Sequence, residues 1–284
     1  MKSINILLLA ICPTLLLSSC KNNRTYDYEF LGLNRIVKSV KVTTYKAESK
    51  FGEVVKGDLY WDGHYLAIFN SIGNLESISS FDDNGELTRV EKYKYDKDNK
   101  IIEVSSYDKD GDIGNKLTYT YINDQIESFT QKSYWNDTEN INEYKYKWDG
   151  EQLLERMRIS NGELSTITKY KRNGKDGSEW ITYDQDGKEI SRGDETYNDY
   201  GRLVSRNEGE LHIEIKWNDK KLPIFLKNAH LSNNTIISWF VDGVKDTYYY
   251  VEYEYDKKGN WINQIIYEGE SKKPLTISER IITY

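Results

Sequence analysis

Residues 93–101 read YKYDKDNKI, and this stretch decides the fold. Tyr93 and Tyr95 alternate with Lys94, so the two rings lie on one face of a strand and the lysine lies on the other. A polar run of Asp, Lys and Asn follows, and the apolar pattern resumes at Ile101. Alternation that is interrupted by such a run predicts two antiparallel strands joined by a tight turn.

The same module recurs through the rest of the chain. It consists of an aromatic residue, Asp or Asn, two variable residues, Gly or Asn, one variable residue and an apolar residue. Full or close copies begin at Phe81, Tyr95, Tyr107, Tyr183, Tyr197 and Tyr255, and shorter versions begin at Trp61, Trp148 and Trp217. In the central part, turn signals return about every 13 residues, which is close to the spacing of strands in an all-β chain.

The predicted fold is therefore all-β: an elongated, twisted antiparallel meander of repeated hairpins, with roughly fifteen to twenty short strands. Tyr, Thr, Ile and Val alternate with Lys and Glu between the turns. Such a pattern is typical of strands with one buried face and one solvated face. It leaves open whether the sheet is open or rolled.

The N-terminus resembles the signal of a bacterial lipoprotein. Residues 6–17 form an apolar run too short to cross a bilayer, and 17–20 read LSSC, which is similar to a lipobox. The resemblance implies acylation of Cys20 and a membrane partner reached through its acyl chains. The alternative is an ordinary secretory signal with a chance cysteine. The expected organisation is a signal peptide at 1–19, a lipidated tether at 20–31 and a hairpin-repeat domain at 32–284.

The module Tyr-x-Tyr-Asp-x-x-Gly, as at 253–259, resembles the YD repeat of RHS-type proteins. Together with the lipobox it is similar to RHS-repeat lipoproteins of Bacteroidota. Residues 32–40 resemble the opening strand of that group, and 267–284 resemble its closing strand pair. The resemblance implies a YD-repeat-like sheet. The lipoprotein signal favours the outer membrane, because Lys21 follows Cys20 where Asp would mark retention in the inner membrane, and the side that the protein faces is left open. It does not imply a toxin-enclosing shell, because the chain is too short.

Composition and motifs narrow the function. The net charge is −7 with no basic block, so nucleic acid is not an expected partner. The mature chain keeps only Cys20 of two cysteines, and no cofactor or metal is expected. Asp108 to Asp112 could suggest calcium, but the spacing does not fit an EF-hand loop. No catalytic residue is assigned, since no nucleophile, phosphate or dinucleotide motif is present.

The tryptophans are the candidate ligand-contacting residues, because exposed indoles stack on sugars and anchor proteins. We predict possible stacking by Trp61, Trp135, Trp148, Trp217 and Trp261. The competing interpretation is that they pack the sheet. The predicted function is a non-catalytic, lipid-anchored envelope protein whose sheet binds a protein or glycan. The alternatives are a structural or toxin-immunity protein of the periplasm and, third, a carbohydrate-active enzyme.

Overall fold

The computed structural model describes residues 31–135, 138–174, 176–228, 230–232, 235–237 and 247–284. The expected signal peptide, Cys20 and all but the last residue of the tether lie outside the described residues, so neither acylation nor the boundary at residue 19 is tested. Among the described residues, no helix is long and apolar enough to cross a membrane.

Twenty-one strands form within the described residues. They are β1 (Ser39–Lys50), β2 (Glu53–Leu59), β3 (His64–Phe69), β4 (Leu75–Phe81), β5 (Leu87–Tyr95), β6 (Ile101–Asp108), β7 (Ile113–Ile122), β8 (Gln125–Trp135), β9 (Thr138–Asp149), β10 (Gln152–Ser160), β11 (Glu163–Asn173), β12 (Gly177–Asp184), β13 (Glu189–Tyr197), β14 (Leu203–Glu208), β15 (Leu211–Trp217), β16 (Pro223–Lys227), β17 (His230–Ser232), β18 (Thr235–Ile237), β19 (Tyr248–Tyr255), β20 (Trp261–Glu268) and β21 (Lys273–Thr283). The expected opening strand at 32–40 begins only at Ser39.

The antiparallel meander is confirmed, but the elongated sheet is wrong, because the sheet closes. From β3 to β16 each strand pairs with the next one in sequence, and β16 pairs with β19. β1 then pairs with β3 on one edge and with β21 on the other. The result is an 18-strand barrel. β2 is added to it by pairing with the C-terminal half of β1.

The closure also overturns the resemblance to RHS/YD-repeat lipoproteins, since a closed barrel is not a repeat sheet of that kind. The aromatic-Asp module instead specifies a tight hairpin turn. In the turn at 96–100, the Asp96 amide donates to the Lys100 carbonyl over 2.9 Å. The Asp96 carboxylate accepts from the amides of Asp98 and Lys100 over 2.8 and 2.9 Å.

Seven further turns repeat this hydrogen-bond pattern. They begin at Asn70, Asp82, Asp108, Asp184, Asn198, Asn218 and Asp256. The fourth residue of each turn has positive φ and is Gly in six of the eight turns. The module recurs because an Asx side chain closes the turn and a residue that tolerates positive φ completes it.

The barrel has two ends, which the alternating turns define. The proximal end is where β1 begins at Ser39, and it carries the turns 70–74, 96–100, 198–202, 218–222 and 256–260, among others. The distal end carries the turns 82–86, 108–112 and 184–188 and the tip of the β1–β2 hairpin.

The two faces of the wall differ in chemistry. The strand register places the buried side chains of the main core on one face, among them Val42, Tyr65, Leu117 and Phe129. This face is the lumenal face of the closed barrel. The opposite, outer face carries the alternating Lys and Glu residues.

The segment 31–38 lies against the lumenal wall at the proximal end. Leu31, Leu33 and Val37 are buried, and the Arg280 guanidinium donates to the Leu31 carbonyl over 2.8 Å. Gly32 has a φ of +69°, and a Cβ there would meet Leu222 Cδ2 at 2.6 Å. The segment 31–38 therefore packs inside the proximal end before β1 begins.

Candidate binding surface in the barrel lumen

Three of the five predicted stacking residues belong to the lumenal wall at the proximal end. Trp148 donates its indole N–H to the Ile126 carbonyl over 2.9 Å, and Trp217 donates to Leu203 over 2.8 Å. Trp261 is buried. The bonds of Trp148 and Trp217 join an indole to one of the first two residues of the paired strand, so these two indoles hold their hairpins together.

Tyrosines make the same contact in three other hairpins. Tyr95 donates to the Leu75 carbonyl, Tyr121 donates to Ile101, and Tyr253 donates to Pro223 over 2.8, 2.7 and 2.9 Å respectively. Each of these aromatic residues lies near the proximal end of its strand. A donor at the ring edge is needed there, which explains why Tyr and Trp, rather than Phe, occupy the positions.

The other two predicted residues lie elsewhere. Trp61 is 66% exposed in the link between β2 and β3, with the Tyr60 ring 5.6 Å away. Trp135 ends β8, and its side chain is outside the described part of the structure. The structure does not bring the five tryptophans into one patch, and ligand stacking by any of them stays a prediction.

Arg280 is a buried cation on the lumenal face. Its guanidinium carbon lies 3.4 Å from the centre of the Trp261 ring, and its Nη2 donates to the carbonyl of Leu31. Desolvation on burial lowers the pKa of Arg280 from its usual value. The segment 31–38 covers the Arg280 guanidinium, and the hydrogen bond to Leu31 holds this segment at the proximal end.

A second charged cluster lies on the lumenal wall formed by β12, β13 and β14. Arg206 lies 2.7 Å from Glu208 and 3.4 Å from Glu195, and its guanidinium lies 5.3 Å from the centre of the Trp180 ring. Gly193 gives Trp180 its space, since a Cβ there would come within 2.6 Å of the indole. Both carboxylates already neutralise the cation, so the cluster stabilises the wall.

One part of the lumenal wall that is open to solvent lies on β8, β9 and β10, in the half towards the distal end. Arg158 is exposed although its register partner is the lumenal Tyr144, so water reaches the lumen at this height. The Asn142 amide oxygen accepts from Arg158 Nη2 over 3.1 Å and from the Ser160 hydroxyl over 2.8 Å. Tyr144 stacks on Phe129 with ring centres 4.4 Å apart.

We call Gln131, Asn142, Tyr144, Arg158 and Ser160 the lumenal patch. The register brings them together, because Gln131 pairs with Asn142, Asn142 pairs with Ser160, and Tyr144 pairs with Arg158. The patch offers amide, hydroxyl and guanidinium groups beside an aromatic ring, which is the chemistry that holds polar ligands. Sequence reasoning missed it because each of its residues is an ordinary strand residue.

Two carboxylates have pKa values that their neighbours lower. Lys116 and Lys94 hold the pKa of Glu103 at about 2, and hydrogen bonds from the Tyr284 hydroxyl and then from the turn amides lower the pKa of Asp256. Among the described residues, no group of three or more His, Cys, Asp and Glu is placed to hold a metal ion.

Comparison with solved structures finds matches at low identity and low TM-score. No protein-family profile matches the chain, and no curated protein matches it. Among solved structures, a porin-like protein from Bacteroides uniformis is 11% identical with a TM-score of 0.39, covering 87% of this chain and 96% of that chain. A porin-like protein from Bacteroides vulgatus has the same identity and TM-score, covering 88% and 99%.

A DUF1329 family protein from Desulfovibrio piger is 9% identical, with a TM-score of 0.18 and coverage of 95% and 91%. Likeness at these TM-scores carries no argument about function. The barrel assignment rests on the strand pairing of the chain itself.

Proposed function

We propose that this protein is a non-catalytic, lipid-anchored protein of the bacterial envelope that binds a polar ligand, such as a glycan, in the lumenal patch. The observation that supports binding is the exposed Arg158 on the lumenal face, surrounded by Asn142, Ser160 and Tyr144. The buried clusters fill part of the barrel interior, and the exposed Arg158 indicates that another part is open to solvent. The acyl chains on Cys20 are the proposed membrane anchor.

The outer face supports anchoring by acyl chains over insertion of the barrel into lipid. Glu103 on this face lies 2.9 Å from Lys94 and 2.7 Å from Lys116, and Lys132 lies 2.9 Å from Glu139. A membrane barrel presents an apolar band about 25 Å tall to lipid, and a charge on that face costs about 2–4 kcal/mol at the midplane. We therefore place the wall of the barrel in water.

The test is a glycan array probed with the mature protein and matched variants. Arg158→Gln removes the cation of the lumenal patch, and Arg192→Gln removes an outer-face cation that pairs with Glu189. We expect Arg158→Gln to lose about tenfold in affinity for a bound glycan, from the loss of a charged hydrogen bond. Arg192→Gln should bind like the wild type.

Three outcomes would contradict the proposal. Equal affinity of both variants for a glycan would show that the lumenal patch is not the binding site. The absence of binding to any glycan would exclude glycans as the ligand class. Conversion of a bound glycan, seen as a mass change after incubation, would contradict a non-catalytic role. A loss of glycan affinity in Trp61→Ala alone would favour a second binding surface around this residue. The 66% exposure of Trp61 supports that alternative.

A further inference from the structure

The proximal end holds most of the apolar side chains that stay in contact with solvent. Thirteen large hydrophobic residues are exposed among the described residues, and nine of them lie at this end. They are Ile36, Ile68, Ile72, Ile102, Ile122, Tyr200, Ile224, Ile262 and Ile281. Eight of the nine are isoleucines, and they follow the rim over the arc from β16 through β21 and β1 to β7.

The hairpin repeat itself produces this rim. Most hairpins contain a β-bulge beside the turn, where one extra residue is left without a register partner. The proximal bulges hold Glu76, Ile102, Glu127, Leu154, Val204, Ile224 and Ile262, and the distal bulges hold Thr88, Gly114, Ser165, Ile190 and Leu275. The same geometry is thus filled mainly by large apolar residues at one end only.

Some turns at the two ends also differ in charge, although the proximal link at 149–151 is acidic and the proximal turn 96–100 is balanced. At the distal end, the turns 82–86, 108–112 and 184–188 each contain more carboxylates than cations. At the proximal end, the turns 218–222 and 256–260 each contain two lysines and one aspartate. Lys221, Lys257 and Lys258 are exposed.

The path of the chain says what lies next to the proximal end. Leu31 is held inside this end, and it lies only eleven positions after Cys20. A chain spans at most about 3.3–3.6 Å per residue, so the tether reaches about 40 Å. A lipid attached to Cys20 therefore keeps the barrel close to the bilayer, and the tether joins the barrel at its proximal end.

From these observations we infer that the proximal rim rests on the membrane surface, with its isoleucines at the boundary between headgroups and acyl chains. The exposed lysines of the turns 218–222 and 256–260 then face lipid phosphates. The acidic distal end, with the open half of the lumen, points away from the membrane. This inference rests on the proposed acyl anchor and adds to it an orientation and a lipid-binding surface.

The experiment measures the depth of single fluorescent probes in membranes. The full chain is expressed with its signal, so that processing and acylation can occur, and carries Ile262→Cys or Ile102→Cys at the proximal end. Ile190→Cys at the distal end is the matched control, because it is also a bulge isoleucine and is 53% exposed. Each protein is labelled with a polarity-sensitive dye and placed in vesicles of phosphatidylethanolamine and phosphatidylglycerol that contain a nitroxide-bearing lipid.

We expect lipid-borne nitroxide to lower the emission of the two proximal probes by about twofold or more, since interfacial groups lie within 5–10 Å of the acyl boundary. The Ile190→Cys probe should be unaffected. Quenching of the distal probe, or of no probe, would overturn the inference. Because all three side chains are exposed, the variants should fold, and Ile122→Cys provides a third proximal position.

Labelling of the unaltered chain separates this inference from the proposed anchor. An acylated Cys20 has no free thiol and stays unlabelled, whereas a labelled Cys20 would contradict the anchor. In that case the same probes are measured on vesicles added to the unacylated protein. Proximal quenching there would still support the lipid-binding rim, and its absence would overturn it.

Discussion

Lys221 occupies a position where six of the eight related turns have Gly and one has Asn. Its φ is 60°, in the left-handed region that costs an ordinary L-residue about 1–2 kcal/mol. Its ammonium lies 4.9 Å from the centre of the Tyr200 ring, a contact that offsets only part of this cost. The turn 218–222 is therefore held in place by Asn218 and by the packing of its neighbours.

We expect Lys221→Gly to stabilise the protein by about 1 kcal/mol, because the strain disappears while the turn keeps its hydrogen bonds. The free energy of unfolding in urea measures the change. The converse control is Gly85→Ala at the equivalent position, where φ is +81° and no atom lies within 4 Å of an added Cβ. That variant should lose a similar amount, and a neutral result there would show that φ does not decide the energy.

At the scale of the strands, Glu103 links adjacent strands through ion pairs on the outer face. It lies on β6 and contacts Lys94 on β5 and Lys116 on β7, so one carboxylate bridges three strands. These contacts hold the pKa of Glu103 at about 2, below its usual 4.5. A carboxyl group whose pKa is lower in the folded state stabilises folding above its unfolded pKa, and this stabilisation is lost as the pH falls towards the folded pKa.

We expect Glu103→Gln to be less stable than the wild type at pH 7, with a difference that shrinks between pH 4.5 and pH 2. Thermal unfolding at a series of pH values measures this. Glu143→Gln is the control, since this outer-face carboxylate pairs with a single lysine among the described residues, Lys145 at 3.4 Å. A difference for Glu103→Gln that does not change with pH would show that the bridge is not what stabilises the three strands.

The hairpins could be predicted from the sequence, because every determinant of the module at 95–101 lies within a few residues. The predicted Asp108–Asp112 turn is likewise a hairpin turn, with the Asp112 amide donating to the Asp108 carboxylate over 2.9 Å. The role of Trp148 was less predictable. A sequence places an indole near a strand end, but it does not show that the N–H points to a backbone carbonyl on the adjacent strand.

Closure belongs to the whole molecule, and the sequence does not show it. The alternation of Thr43 with its neighbours is the same whether its strand lies at the edge of an open sheet or in a closed wall. The pairing of β1 with β21 joins the two ends of the described chain, with Thr43 opposite Glu279. Both residues flank positions on the lumenal face, so their own side chains point to the outer face.

We expect Thr43→Cys with Glu279→Cys to form a disulfide under oxidising conditions, because directly opposed residues in an antiparallel pair have Cα atoms about 4.5–5.5 Å apart, within the range that a disulfide bridges. The bond would close a very long loop, so it should raise the free energy of unfolding by about 2–4 kcal/mol. Gel mobility without reductant detects the bond, and thermal unfolding measures the gain. Thr43→Cys with Glu214→Cys, on the outer face of β15, is the control and should stay reduced. In an open meander the first and last strands would lie at opposite edges, so a failure of the first pair to cross-link would contradict the closed barrel itself.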